Sequence, residues 1–145
     1  MKLSTKGRYG VRLMLDLALH AGQGPVLLKD IAARQEISEK YLWQLVPPLK
    51  NAGFVSTKRG MHGGYALNKD PAKISIKDIV DVLEGPISLV GCTNNKEFCK
   101  RMDKCFTRDI WCEITHKVSD IFAAYTLADL VERYSNHRQQ FTYSI

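Results

Sequence analysis

"ISEKYLWQLVPPLKNAGFVSTKRGMHGGYALN", residues 37–68, is the stretch whose reading decides the fold. Ser38 carries the short oxygen-bearing side chain that satisfies free amides at a helix start. Leu42, Leu45, Val46 and Leu49 follow at helical spacing, so a helix opens at Ser38 and buries one stripe. Ser38, Glu39, Lys40, Tyr41 and Gln44 lie off that stripe. Pro47 and Pro48 each remove a backbone donor and crowd the preceding turn. They predict a kink or restart near Pro47, leaving a reading segment of about two turns. Beyond it, Phe54 and Val55, then Tyr65, Ala66 and Leu67, suit two strands. Gly60, Gly63 and Gly64 between them supply the positive φ values of a hairpin tip on which Lys58, Arg59 and His62 ride.

Upstream, Val11, Met14, Leu15 and Ala18 share a helical face until "GQGP" at 22–25 stops the chain. After the apolar "VLL", Ile31, Ala32 and Gln35 fit a two-turn helix. Two short helices joined by a tight turn, the second one capped, make a helix-turn-helix. The hairpin after it is a wing, whose guanidinium suits a narrow, electronegative minor groove. Residues 1–70 carry eleven Lys and Arg against five acids, while residues 71–145 carry ten of each sign. The whole excess of +6 therefore sits on the half that holds these elements. On charge alone, a basic face that meets only solvent is the other reading, and glycines alone permit a merely structural hairpin. Motif and charge together point to a double-stranded DNA operator.

Downstream, Ser75 caps a helix with Ile76, Ile79, Val80 and Leu83 on one face, ended by Gly85 and Pro86. This helix reads as structural packing for the winged domain. Ile114, Val118, Ile121, Phe122 and Tyr125 mark a longer helix. Thr126 caps a last short one carrying Leu127, Leu130 and Val131. So long a stripe in so small a chain needs a partner surface, either its own domain or a second copy. A homodimer is favoured, because paired reading helices meet half-sites about 34 Å apart. No run approaches the roughly 18 apolar residues of a membrane span. Arg12 and Asp16 also break the apolar run that an export signal needs. The expectation is a cytoplasmic protein with no membrane partner and no small-molecule substrate. No nucleophile and base lie together, and His20, His62, His116 and His137 are dispersed, so an enzyme is not expected.

All four cysteines fall within residues 92–112, spaced C-x6-C-x5-C-x6-C. In a reducing compartment, clustered thiols are metal ligands or redox groups more often than disulfides. The paired C-x2-C knuckles of structural zinc are absent, and the ferredoxin spacings differ too. Lys96, Lys100, Arg101 and Lys104 lie between the thiols and favour their thiolate forms.

With these residues in view, the chain resembles the IscR-type transcriptional regulators, a winged-helix family that senses iron–sulfur clusters, nitric oxide or cysteine status. The likeness rests on "MKLSTKGRYGVRLMLDLALH" (1–20), "ISEKYLWQLVPPLKNAGFV" (37–55), "RGMHGGYAL" (59–67), "EGPISLVGC" (84–92) and "YTLADLV" (125–131), and covers about 130 residues. It implies a mostly α fold with a small β-hairpin wing and an intertwined dimer joined through a long C-terminal helix. It also implies an iron–sulfur cluster held by Cys92, Cys99 and Cys105, with 2Fe-2S favoured over 4Fe-4S. The implied organisation is a winged helix-turn-helix domain over 1–84, a cluster-binding loop over 85–106, dimerisation helices over 107–135 and a flexible tail over 136–145.

Two departures stand out. The histidine ligand three residues after the third cysteine in IscR is Arg108 here, and a guanidinium stays protonated. The N-terminal acid used by nitric-oxide sensors of the family is matched only by Lys6, Gly7 and Arg8. Cys112 is the candidate fourth ligand, with His116 and Asp109 behind it. If 106–112 is helical, Cys112 lies about 10 Å along the axis from Cys105, so a small buried hydrophobe beside Trp111 is an equal reading. At the recognition-helix position where IscR has a glutamate stands Trp43. It removes an acceptor and adds apolar surface, so operator preference does not carry over.

The expectation is a sequence-specific DNA-binding regulator, a repressor, controlled by that cluster. The alternative is a metal-free thiol-redox or cysteine-metabolism regulator of the same fold. Arg59 is expected in the minor groove, with Lys58 and His62 beside it. Tyr41 and Gln44 are expected at base edges near Ser38, and Ser4, Thr5, Arg8 and Lys40 at phosphates.

Overall fold

The computed structural model describes residues 2–142. Helix α1 spans Thr5–Leu19, α2 Leu28–Gln35 and α3 Glu39–Asn51. Strands β1 (Val55–Lys58) and β2 (Gly64–Leu67) follow, then α4 (Ile76–Glu84), α5 (Arg108–Ala124) and α6 (Leu127–Thr142). Short 3-10 turns at Pro71–Lys73, Gly91–Thr93 and Met102–Lys104 fill the connections.

Helix α1 is the central packing element, touching α2, α3, α4 and α6. It buries Leu13, Met14, Leu17 and Ala18, while Val11 and Leu15 sit half-buried at the edge of the stripe. Helix α2 ends at Glu36, whose φ of 52° turns the chain left-handed into α3. Ser38 caps α3 as the sequence indicates, its Oγ accepting from the Tyr41 amide at 3.1 Å. Leu42, Leu45, Val46 and Leu49 are buried.

Where a kink or restart was expected near Pro47, α3 runs as one helix to Asn51 with Pro47 and Pro48 inside it. The amides they lack would have bonded the carbonyls of Trp43 and Gln44. Both of those residues are exposed, and carbonyls that reach solvent can be served by water instead. The four leucine and valine anchors hold the backbone helical across the gap.

The two strands pair antiparallel, Val55 with Leu67 through Lys58 with Gly64. Val26 joins them as an isolated bridge: its amide donates to the Tyr65 carbonyl at 2.7 Å, and the Tyr65 amide donates back at 2.8 Å. Gly64 is required there, since a Cβ would lie 2.5 Å from the Val26 carbonyl oxygen. Gly60 and Gly64 have positive φ, but Gly63 does not. Its reason is space, because a Cβ would lie 2.2 Å from the Lys58 carbonyl oxygen.

Ser75 and Asp78 form a full capping box on α4, and Gly85 (φ 88°) ends that helix. Thr126 caps α6: its Oγ1 accepts from the Asp129 amide at 3.2 Å, and the Asp129 carboxylate accepts from the Thr126 amide at 2.7 Å. Donation from the Thr126 amide, and then from its hydroxyl, holds the Asp129 carboxyl below its ordinary range. Helix α6 is longer than the short helix expected. It continues to Thr142, through most of the stretch read as a tail, and residues 143–145 lie outside the described residues. Leu127 at its start is fully buried in the same core as α1, α3 and α4. No helix among the described residues is long and apolar enough to cross a membrane.

Candidate nucleic-acid interface and thiol loop

The exposed side of α3 carries Lys40, Trp43, Gln44 and Pro47. Ser38 Oγ is committed to its cap. Tyr41, expected to read bases, is half-buried. Its ring meets Tyr9 edge-on at 5.6 Å and packs on the core, so it borders the reading face rather than projecting from it. Gln44 is exposed as expected. On the wing side, the Trp43 indole meets the Tyr65 ring edge-on at 6.1 Å. Burial pushes the Tyr65 phenol up, so it stays protonated.

At the wing tip Lys58, Arg59 and His62 are all exposed, with Met61 94% exposed between them. The two cations and the imidazole of the tip are thus open to an anion from solvent.

The start of α1 is arranged differently from the sequence expectation. Ser4 Oγ accepts from the Lys6 amide and donates to Glu84 Oε1 at 2.5 Å. The amides of Ser4 and Gly7 donate to the same oxygen at 3.1 and 2.8 Å. The end of α4 thus supplies the anion that a helix N-terminus attracts. A Cβ at Gly7 would sit 2.3 Å from that oxygen. Sequence reasoning missed Glu84, because its partners lie far away along the chain. Thr5 Oγ1 accepts from Arg8 Nη2 at 3.3 Å, leaving Arg8 exposed on the outer face.

Below this surface Asp16 is 1% exposed. It accepts from Arg34 Nη2 at 2.7 Å, Arg34 Nε at 3.1 Å and Gln35 Nε2 at 3.0 Å. The carboxylate holds the Arg34 guanidinium above its ordinary pKa. Arg12 completes the lattice by donating to the Gln35 carbonyl and lying over Tyr9. The first helix of the helix-turn-helix is thereby fixed to α1.

The four thiols are unpaired: Cys92, Cys105 and Cys112 are half-buried, and Cys99 is exposed. The Cys105 thiol is pushed down by a hydrogen bond with Thr107 (Sγ to Oγ1, 3.5 Å), then by the Arg108 backbone amide. Arg108 Nε donates to the Cys92 carbonyl at 3.3 Å, tying the two ends of the loop together. Helix α5 begins at Arg108, so Cys105 lies outside it and Cys112 is one turn in. Cys112 lines a cavity of about 180 Å³ with Thr93, Asn94, Lys77 and His116, next to the residue that follows Cys92. Asp109 is exposed. Cysteine thiolates are the right donors for the iron of a cluster. Their arrangement does not fit a cluster in this conformation: among the described residues no three His, Cys, Asp or Glu side chains gather closely enough to hold a metal ion.

A capped recognition helix, a cationic wing and a positive N-terminal half define a winged helix-turn-helix DNA-binding protein. Residues 3–133 match the model of the family described as "Rrf2: Iron-dependent Transcriptional regulator". The chain belongs to the Rrf2 family, and is a DNA-binding transcriptional regulator rather than an enzyme. It is 42% identical over 145 residues to the HTH-type transcriptional regulator CymR of Bacillus subtilis (strain 168), covering 100% of both chains. The solved structure described as CymR (YrzC), the global cysteine regulator of B. subtilis, superposes with a TM-score of 0.76 at 44% identity, covering 92% of this chain and 98% of that one. T. potens IscR superposes with a TM-score of 0.75 at 40% identity, covering 92% and 88%.

Proposed function

We propose that this chain is a sequence-specific repressor that binds its DNA operator as a homodimer, with affinity set by the state of the loop thiols Cys92, Cys99 and Cys105. The observation that carries the reading is the pairing of an exposed recognition face on α3 with an uncovered cationic wing tip, joined by the Trp43–Tyr65 contact. Gln44 reads base edges, Arg59 enters the minor groove with Lys58 and His62 alongside, and Lys40 and Arg8 meet phosphates. Ser4 and Thr5 act through the start of α1, which they shape.

The homodimer is supported by α5, where Thr115 is the one buried residue. Ile110, Ile114, Ile121 and Tyr125 recur along a single face and are all exposed. An apolar stripe of that length in water is an interface waiting for its copy.

Two states of the thiols are consistent with this control. In the first, Cys92, Cys99 and Cys105 hold an iron–sulfur cluster, 2Fe-2S favoured, with Cys112 as candidate fourth ligand. Three unpaired thiols within one cationic loop, with a fourth one turn into α5, support it. In the second the thiols act without metal. The lowered Cys105 thiol, the ungathered donors and the likeness to a relative titled a cysteine regulator support that. The site would work in the cytoplasm, where thiols stay reduced.

One oxygen-free preparation tests both. Iron and sulfide in stoichiometric amounts, lost together with operator response in Cys92→Ala, establish the first. Colourless protein whose operator binding changes with diamide establishes the second. Operator affinity indifferent to both treatments and to the substitution removes thiol control and leaves only DNA binding.

A further inference from the structure

Gly91 and Phe98 meet across the thiol loop. A Cβ at Gly91 would lie 2.4 Å from Phe98 Cε2 and 2.7 Å from both Cδ2 and Cζ. One edge of the ring therefore rests directly on the glycine, and any side chain there would push it away. The φ of Gly91 is not positive, so space is what the position needs. Phe98 is otherwise 65% exposed, so the contact adds little to any core. Backbone bonds close the segment between the two residues. The Asn94 and Asn95 amides donate to the Gly91 carbonyl at 3.3 and 3.1 Å, and the Phe98 amide donates to the Asn95 carbonyl at 3.3 Å. Asn95 Oδ1 also accepts from the Glu97 amide at 2.9 Å. Thr93 Oγ1 donates to the Val90 carbonyl at 2.8 Å and steadies the near side of the same turn. Cys92 follows one member of the ring contact and Cys99 follows the other, so both stand at the mouth of one closed turn.

A disulfide forms only where two Cα atoms come within about 7 Å, so the path of the backbone selects the partners. Loop length alone would select differently. Five residues separate Cys99 from Cys105 and six separate Cys92 from Cys99, so chain entropy gives Cys99–Cys105 at least an equal chance. Between Cys99 and Cys105, however, the 3-10 turn Met102–Lys104 is a spacer that rises about 2 Å per residue. Cys112 lies inside α5, where the helix fixes its direction. We propose that Phe98, seated on Gly91, is a positioning residue that makes Cys92 and Cys99 the pair that closes first when the loop is oxidised. The oxidant takes one electron and one proton from each thiol, and a single S–S bond joins the two sulfurs. With diamide as oxidant, those electrons and protons leave on its hydrazine product. The bond withdraws two of the three loop thiols from any metal. This deepens the metal-free reading of thiol control and rests on it for any bearing on operator binding, whereas the pairing itself is read chemically.

The full chain, reduced under argon with a chelator present, is treated with limiting diamide for increasing times. Remaining thiols are alkylated, the pairs are mapped by proteolysis and mass spectrometry, and operator binding is read on the same samples by anisotropy. Wild type is expected to give Cys92–Cys99 as the first and main bond. Phe98→Ala is expected to slow that bond roughly three- to five-fold, the worth of burying about a third of a phenylalanine side chain. Gly91→Ala displaces the ring from the other side and is expected to slow it equally, while Phe98→Leu keeps part of the rate. Circular dichroism melts establish that each variant is folded, and Gly91→Ala with Phe98→Leu carries the test if Phe98→Ala is not. Wild type that closes Cys99–Cys105 or a pair with Cys112 first, or forms no intramolecular bond, overturns the proposal. Folded Phe98→Ala closing Cys92–Cys99 at the wild-type rate overturns it as well. A Cys92–Cys99 bond that leaves operator affinity unchanged supports the pairing and counts against metal-free thiol control of binding.

Discussion

Asp16 shows how much one side chain can fix. Nothing local marks it: in the sequence it only interrupts an apolar run. In the fold it is the buried acceptor that locks α2 to α1 through Arg34 and Gln35. Asp16→Asn keeps the shape and removes the charge that Arg34 needs. Because Arg34 is 39% exposed, the cost falls below that of breaking a fully buried ion pair, at about 2 kcal/mol of unfolding free energy, measured by urea titration. The Cys105 thiol offers a second test. Its lowered pKa owes most to Thr107, so Thr107→Val should move it back up. The thiolate is the reactive form, so its fraction at any given pH then shrinks. In metal-free protein the pH profile of Cys105 alkylation, followed by mass spectrometry, shifts to higher pH. An unmoved profile would assign the effect to the Arg108 amide and Arg101 instead.

Among the elements, those governed by short-range rules were legible from the sequence. Ser38, Ser75 and Thr126 all cap the helices they were expected to cap, and Gly85 ends α4. The hairpin also lies where its glycines placed it. Elements decided by distant contacts were not legible. Pro47 was read as a kink or restart because its local cost is real, yet the buried Leu45 and Leu49, two positions to either side, override it. Pro47→Ala restores the missing donor at an exposed position. Helix propensity favours alanine there by about 3 kcal/mol, and the freer unfolded chain returns up to about 1, so a gain of about 2 kcal/mol is expected in the same titration. The wing is tested separately. Arg59→Ala should weaken operator binding by about 1–3 kcal/mol in a fixed-salt anisotropy titration, without lowering the melting temperature. The recognition face itself was half legible. Gln44 projects as expected, while Tyr41 turns aside to Tyr9, a neighbour 32 positions earlier that no local pattern reveals.

At the level of the whole molecule, the apolar periodicity beyond residue 110 was readable, but not which side of it would be covered. The single chain leaves Ile110, Ile114, Ile121 and Tyr125 in water. Ile121, 57% exposed, makes no contribution to the monomer's core. Ile121→Asp is therefore expected to leave the fold intact by circular dichroism while converting the protein to monomer in sedimentation velocity. A variant that still sediments as a dimer would place the interface elsewhere.

The seating of Leu127 has a practical outcome. The chain leaves the reading half at residue 84, wanders through 42 residues of loop and outer helix, and then returns to plug its own foundation with one leucine. A recombinant fragment ending before that plug would expose a hydrophobic socket beneath the operator-facing surface. The DNA-reading portion is thus no detachable cassette, and transplanting it into a chimera would require carrying its last helix along.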